Sequence, residues 1–252
     1  MKFKYLFLSL LSLLVLSACS NDDDFLFSDT NVSELTRSET FSLKYPMSSF
    51  ISKISLNTTD QNTVNGYLSD MQNEFGKWYL PLFVKLKSNP IAEIKRGSTG
   101  TGSDAPAAYY ANQNILVFLT GADIRYNGVC EELIHAGQQR IYPGGIAQYG
   151  KKKGTPNIEF EAKLAQDLVS CINDLPFNLG EGADNSTEYV QWILELCGDG
   201  SYPSETKVLN TEVKSMGYYQ MVISFGKKYA AYNYPVIMDL KPLYINYISD
   251  SI

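Results

Sequence analysis

The residues best able to do chemistry in this chain lie between Val129 and Arg140, in the run VCEELIHAGQQR. The run contains His135, the single histidine of the sequence, with Glu131 four residues and Glu132 three residues before it. Residues three and four apart share one face of a helix, so Glu131 and His135 are expected to project together, with Glu132 turned partly away. An imidazole and a carboxylate at this spacing can bind a metal ion, and a neighbouring carboxylate can act as a general base.

A further carboxylate comes from residues 157–175, which carry the clearest helical pattern in the sequence. Apolar residues such as Leu164 and Leu168 recur along one stripe of this helix, and Glu161 falls on the same stripe. Glu159 aligns with the polar face instead. An ionised carboxylate is costly to bury unless it is paired or bound to a metal. We therefore expect Glu161 to point into the protein.

Together these residues resemble the zincin superfamily of metallopeptidases. The resemblance covers roughly residues 107 to 172, which contain a strand-like run, the motif EELIHAGQ and a later helix with the run EFEA. In glutamate-type zincins the first helix supplies two histidine ligands and a base, and the later helix supplies the third ligand. The resemblance implies that Glu132 is the general base and that three residues bind the metal: Glu131, His135 and Glu161. It leaves Glu159 as a weaker candidate for the third ligand.

The sequence departs from that family at Glu131, where the family has a histidine. Because the chain contains one histidine, a centre with two histidine ligands cannot form within a single chain. An additional carboxylate also shifts the preference of such a centre from zinc toward harder ions such as manganese, magnesium or calcium.

Three hypotheses follow from this departure. In the first, the chain is a divergent metal-dependent hydrolase of peptides that holds one divalent ion. In the second, it keeps the zincin fold without catalysis and binds a surface ligand such as a peptide, protein or glycan. In the third, the ExxxH spacing is incidental in an unrelated fold. In the last case Glu131 and His135 are only an ion pair, which is common at helical spacing. In the first case the run Ile115–Leu119 is expected to hold an extended peptide by backbone pairing.

The N-terminal segment predicts export and a lipid anchor. Residues 1–18 have a basic start, an apolar run and a small-residue end, which is typical of a secretory signal peptide. Leu16-Ser17-Ala18-Cys19 resembles the bacterial lipobox, so Cys19 is expected to carry acyl chains that anchor the protein in a bilayer. Residues 19–40 predict a flexible tether, and the early Asp22-Asp23-Asp24 resembles the signal that sends lipoproteins to the cell surface. We expect a lipoprotein of the bacterial outer membrane that faces the exterior.

Composition favours a globular protein and excludes nucleic acid as a partner. The 252 residues are 44% hydrophobic and carry a net charge of −6, whereas phosphate contacts need clustered basic side chains.

No two cysteines have CxxC spacing, so a structural zinc ribbon is excluded. If Cys19 is acylated, the other three cysteines fit either one disulfide with one thiol or three thiols.

The remaining pattern predicts a single α+β domain over residues 41–252, mainly helical and with a small sheet. Two short strands are expected within residues 107–119, with Ile115–Leu119 the more buried. Pro81 is expected to kink or end the first long helix. Apart from the helix that carries Glu131, the expected helices are 61–87, 157–175, Thr187–Cys197 and one or two within 204–232.

Overall fold

The structure is a computed structural model that describes residues 43–99, 105–177 and 186–252. Residues Glu39–Ile252 form a compact unit. The predicted signal peptide, the lipidated Cys19 and the tether over residues 19–40 lie outside the described residues and stay predictions. None of the described helices is long and apolar enough to span a membrane.

Helices dominate the described residues and a few short strands form a small sheet, which confirms the predicted α+β class. The helices are α1 (Met47–Phe50), α2 (Thr58–Asn73), α3 (Gly76–Ser88), α4 (Tyr126–Ile141), α5 (Thr155–Ile172), α6 (Ser186–Cys197), α7 (Glu205–Asn210), α8 (Tyr218–Lys228) and α9 (Leu243–Ser251). The strands are β1 (Ile51–Ser55), β2 (Ile91–Gly97), β3 (Ala107–Tyr110) and β4 (Ile115–Leu119). Short 3-10 helices follow α4 and α8, at Ile146–Tyr149 and Ala230–Tyr232.

The described strands form one mixed sheet in the order β1-β2-β4-β3. β1 runs parallel to β2 and β2 parallel to β4, whereas β3 is antiparallel to β4, with Ala108 opposite Val117. The hairpin predicted within residues 107–119 is confirmed, and β4 is the more buried strand. Because β4 pairs with a strand on both sides, the expectation that Ile115–Leu119 pairs with an extended peptide is wrong. The edge strand that contacts α4 is β3.

The helix expected over residues 61–87 is two helices, because the chain breaks at Glu74 and Phe75 and not at Pro81. Gly76 begins the second helix directly after the break, and glycine is the poorest helix former after proline, so a helix that continued through this position would be weak. Pro81 lies inside α3, where its carbonyl oxygen accepts a hydrogen bond from the hydroxyl of Tyr247 at 3.0 Å.

Helices α4 and α5 pack against each other and carry the residues that could do chemistry. α4 also contacts α3, α9 and β3, and α5 also contacts α6, α8 and α9. Nearly all of α5 from Thr155 to Val169 is buried, including polar residues such as Lys163 and Gln166. The polar face expected for this helix therefore lies against other elements of the fold instead of facing solvent.

The close packing of α4 depends on a glycine. A Cβ atom at Gly137 would lie 2.6 Å from Cδ1 of Leu82 on α3 and 3.1 Å from Cε2 of Tyr244 on α9. Both of these side chains are buried, so a larger residue would force Leu82 or Tyr244 to move within a packed interior. Gly137, one of the small residues that follow His135, thus has a packing role.

Aromatic side chains hold the opposite face of α5. The ring of Phe160 packs against four residues of α6 and α8 with ring centroids 5.7–6.5 Å apart: Tyr189, Trp192, Tyr218 and Phe225. Aromatic pairs at these separations bury large areas and favour defined ring orientations. This packing fixes the rotation of α5, so that Glu159 and Lys163 face α4.

Candidate metal centre

The side chains of Glu131 and His135 on α4 meet Glu159 from α5. Nε2 of His135 lies 3.8 Å from Oε1 of Glu131 and 3.4 Å from Oε2 of Glu159. One ligand atom from each of the three residues lies within 4.8 Å of the other two. The spacing on α4 therefore gives the shared face expected from the sequence, and a group able to hold a metal ion exists among the described residues.

Glu161 is not part of this group. Its side chain points inward, as predicted, and is fully buried. Oε2 of Glu161 accepts hydrogen bonds from Nε2 of Gln138 and the hydroxyl of Tyr142, each at 2.7 Å, and Oε1 accepts from the N–H of Tyr244 at 2.8 Å. Hydrogen bonds instead of a metal compensate its burial, so the third ligand expected at Glu161 is better placed at Glu159.

A lysine that the sequence pattern does not single out completes the group. Nζ of Lys163 on α5 donates to Oε1 of Glu131 at 2.7 Å and lies 5.9 Å from the ring centre of Tyr232. The side chain of Lys163 is 8% exposed and that of Glu131 is 15% exposed, so water screens this ion pair poorly. Lys163 follows Glu159 by four residues on one helix face, which is the sequence signal that could have indicated it.

Glu132 lies beside the edge of the sheet. Its Oε2 accepts a hydrogen bond from the backbone N–H of Tyr109 on β3 at 2.5 Å. Because this N–H is donated to α4 and not to β4, α4 satisfies part of the outer edge of β3. Burial raises the pKa of Glu132 to about 7, although the nearby His135 lowers it. A carboxyl group with such a pKa can accept and return a proton near neutral pH.

Opposite charges compensate the burial of the group. Burial opposes the ionisation of Glu131, but Lys163 and His135 outweigh burial and hold its pKa at about 2. Burial favours the neutral imidazole, but Glu159 and Glu131 outweigh it and raise the pKa of His135 well above its ordinary value. Burial lowers the pKa of Lys163, but Glu131 outweighs it and the net shift is upward. With two cations and two carboxylates, these four side chains carry no net charge.

The second nitrogen of the imidazole is held from the other side. Nδ1 of His135 and Oε1 of Gln138 lie 2.7 Å apart. Nε2 of Gln138 donates to the carbonyl oxygen of Ile158 at 3.0 Å and to Oε2 of Glu161 at 2.7 Å. Gln138 is fully buried. The sequence pattern does not single out Gln138, although its spacing of three residues from His135 places both on one helix face.

The group fits a divalent cation in two respects. Its ligand atoms are 3.4 and 3.8 Å apart, which suits metal–ligand bonds of about 2.0–2.2 Å. One imidazole nitrogen and two carboxylate oxygens are donors that both zinc and manganese accept. The ammonium group of Lys163 acts against a cation, because it already neutralises Glu131.

Comparison with known proteins gives no relative for this chain. The resemblance to zincins therefore depends on the residues of α4 and α5 and stays a prediction. Neither a protein-family model, nor a curated protein, nor a solved structure matches the sequence or the fold.

Proposed function

We propose that the protein binds one divalent cation through Glu131, His135 and Glu159 and acts as a metal-dependent hydrolase of the zincin kind on the outer surface of a bacterial cell. The convergence of three ligand atoms within 4.8 Å carries this proposal. The predicted lipid anchor at Cys19 supports the location. Zinc and manganese are the ions that the donor set favours.

Each residue of the centre has a distinct part. Glu131, His135 and Glu159 hold the cation, which when bound supplies a Lewis acid and makes its water more acidic. Glu132 accepts the proton of the attacking water and returns it to the leaving group, a role that its pKa of about 7 suits. Lys163 keeps Glu131 paired in the metal-free protein, and a cation that binds Glu131 would have to replace this ion pair.

An extended peptide is the substrate class that the sheet favours. β3 is an edge strand, and the N–H of Tyr109 on its outer side points to Glu132. Backbone groups along a sheet edge bind extended peptides by strand addition. Such a peptide would have to displace Glu132 from the N–H of Tyr109, and its peptide bond would then lie beside the proposed base.

A second candidate function follows from the ion pair of Lys163. The contact of 2.7 Å between its Nζ and Oε1 of Glu131 gives the group a cation of its own. In this case the four charged side chains balance without a metal, and the protein is a non-catalytic surface lipoprotein that binds a peptide, protein or glycan. The two candidates differ in the affinity of the purified protein for divalent ions.

Metal content therefore tests the proposal. The chain from residue 19, with Cys19→Ser to prevent acylation, is purified without added metal and examined by elemental analysis and by calorimetric titration with zinc and manganese. We expect about one equivalent of metal. His135→Ala and Glu159→Gln should abolish binding, whereas Glu212→Gln, which changes an exposed carboxylate elsewhere, should leave binding unchanged.

The catalytic part needs a separate measurement. Cleavage of a mixed peptide pool should stop on chelation and in Glu132→Gln, although this variant should still bind the metal. A wild-type chain that folds normally and binds no divalent ion refutes the proposal and favours the second candidate. Metal uptake by Lys163→Met alone would show that the lysine excludes the ion from the wild-type protein.

A further inference from the structure

We infer that Gln138 and Glu161 are positioning residues for His135 and connect its imidazole to helix α9. A chain of hydrogen bonds runs from Nδ1 of His135 through the amide of Gln138 to the carboxylate of Glu161, and from there to the N-terminus of α9. All of these side chains are buried. The hydrogen bonds that hold His135 do not depend on the proposed function. Only the expected effect of Gln138 on metal affinity rests on the proposed function.

The surroundings of Gln138 determine the direction of the first hydrogen bond. One end of its amide faces the carbonyl oxygen of Ile158 at 3.0 Å and Oε2 of Glu161 at 2.7 Å. A carbonyl oxygen can only accept, so this end must be the NH2 group. The other end is therefore an oxygen, and it faces Nδ1 of His135 at 2.7 Å. Nδ1 must then carry a proton and donate it to Gln138.

This arrangement selects the nitrogen of His135 that can bind a ligand. Because the proton on Nδ1 is held by Gln138, the proton that a bound cation would replace is the one on Nε2, which then offers its lone pair. Nε2 is the atom that faces Oε2 of Glu159 at 3.4 Å and Oε1 of Glu131 at 3.8 Å. Metal-binding histidines generally donate their other N–H to a fixed acceptor, which sets the tautomer and the ring orientation. Gln138 supplies this acceptor here.

Glu161 holds Gln138 in turn. Its Oε2 accepts from Gln138 and Tyr142, and its Oε1 accepts from the N–H groups of Tyr244 at 2.8 Å and Ile245 at 3.2 Å. These two N–H groups belong to the first turn of α9, where a helix supplies no partner of its own. A negative charge is also favoured at a helix N-terminus. The carboxylate therefore joins α4, α5 and α9 at one point.

A second contact between α9 and α4 lies next to this chain of hydrogen bonds. The ring of Tyr244 packs against Gly137, where an added Cβ would lie 3.1 Å from Cε2. Gly137 directly precedes Gln138 in α4. If α9 did not pack against α4 and α5, Glu161 would lose two hydrogen-bond donors and Gln138 would lose the neighbouring contact. The orientation of His135 therefore depends on the packing of α9.

The single histidine makes the first hydrogen bond directly observable by NMR. In an isotopically labelled chain from residue 19 carrying Cys19→Ser, every imidazole signal comes from His135. We expect the proton on Nδ1 to exchange slowly with water in the metal-free protein. Gln138→Met keeps the side-chain length without the acceptor oxygen and should abolish this protection. Gln139→Met is the matched control, because the neighbouring Gln139 accepts from the N–H of Ile146 instead of from His135.

Two further measurements extend the test to metal affinity and to Glu161. Zinc should bind about 10- to 100-fold more weakly to Gln138→Met than to the wild type, which is the usual effect of losing such a partner. Zinc affinity should change little in Gln139→Met. Glu161→Gln should partly reduce the protection of the Nδ1 proton, because a carboxamide cannot accept from all of the donors that surround Glu161.

The outcomes separate this inference from the proposed function. Loss of protection in Gln138→Met but not in Gln139→Met supports the inference even if the wild type binds no zinc, in which case only the proposed function fails. Rapid exchange of the Nδ1 proton in the wild type overturns the inference, and this measurement needs no variant to fold. Identical histidine signals in the wild type and a folded Gln138→Met variant overturn it as well.

Discussion

Replacing Lys163 with methionine removes the buried ammonium group from the candidate metal centre and keeps an unbranched side chain. Against the effect of burial, Lys163 and His135 lower the pKa of Glu131 from its ordinary value of 4.5 to about 2. Each pKa unit corresponds to about 1.4 kcal/mol, so the ionised Glu131 contributes about 3 kcal/mol to the free energy of unfolding at neutral pH. Removing one partner of a buried ion pair typically costs about 3–5 kcal/mol. We therefore expect Lys163→Met to lose about 3 kcal/mol.

This loss should depend on pH in a defined direction. A carboxyl group whose pKa is lowered by folding stabilises the protein above its unfolded pKa, here 4.5. The contribution disappears as the pH falls through the folded pKa of about 2. The difference in unfolding free energy between the wild type and Lys163→Met should therefore be largest near neutral pH and shrink between about pH 5 and pH 2.

Urea denaturation of the metal-free protein measures these free energies. Lys53→Met is the matched control, because Nζ of Lys53 also lies 2.7 Å from a carboxylate, that of Glu93, but its side chain is 69% exposed. The control should lose far less stability, since water screens an exposed ion pair. The double variant Lys163→Met with Glu131→Gln should recover most of the loss, because it leaves no unpaired charge.

Two results would refute this reasoning. Equal losses of stability in Lys163→Met and Lys53→Met would show that burial of the ion pair contributes nothing. A loss in Lys163→Met that grows toward low pH would show that Glu131 is not the group that needs the lysine.

Two further predictions follow from the packing of α4 and from the cysteines. Gly137→Ala should lower the free energy of unfolding by about 1 kcal/mol, because overpacking against the buried Leu82 outweighs the gain in helix propensity; a urea midpoint at or above that of the wild type would contradict this. The thiols of Cys171 and Cys197 are hydrogen-bonded to each other and Cys171 is partly exposed, so oxidised glutathione should react at Cys171, after which the thiol of Cys197 should close the disulfide, with two reduced glutathione molecules released in all. Peptide mapping should find Cys130 still as a thiol, because burial raises its pKa to about 12; a disulfide that includes Cys130 would contradict the pairing.

Local periodicity was sufficient to predict the hairpin within residues 107–119 and the helices that carry Glu131 and Glu161. The strands β1 and β2 were not predicted, because a short strand is stabilised by pairing with distant neighbours more than by its own sequence. Helix α9 is not predicted by the sequence pattern, because two prolines in this region, Pro235 and Pro242, are typical of a chain without regular structure. Pro242 in fact lies directly before the helix, where the missing N–H of proline is no disadvantage.

The candidate site was predictable only where a single helix sets its geometry. The pairing of Glu131 with His135 follows from their spacing on α4. Which carboxylate of α5 faces α4 depends instead on how the two helices dock. The apolar stripe correctly predicts that Glu161 points inward, but hydrogen-bond donors meet it there. Glu159 and Lys163 lie on the face of α5 that the sequence predicts to be polar. Their charges are buried only because α4 packs against this face.

The hydrogen bonds from Glu161 to α9 also bear on the order in which the protein folds. Glu161 and Tyr244 are 83 residues apart in the chain, and closing so long a loop is an entropically costly and slow step. Until α9 arrives, a carboxylate between the central helices lacks two of its donors, which opposes early closure of α4 on α5. Because α9 supplies these two donors, we expect the packing of α4 on α5 around Glu161 to be completed only when residues 243–251 are in place.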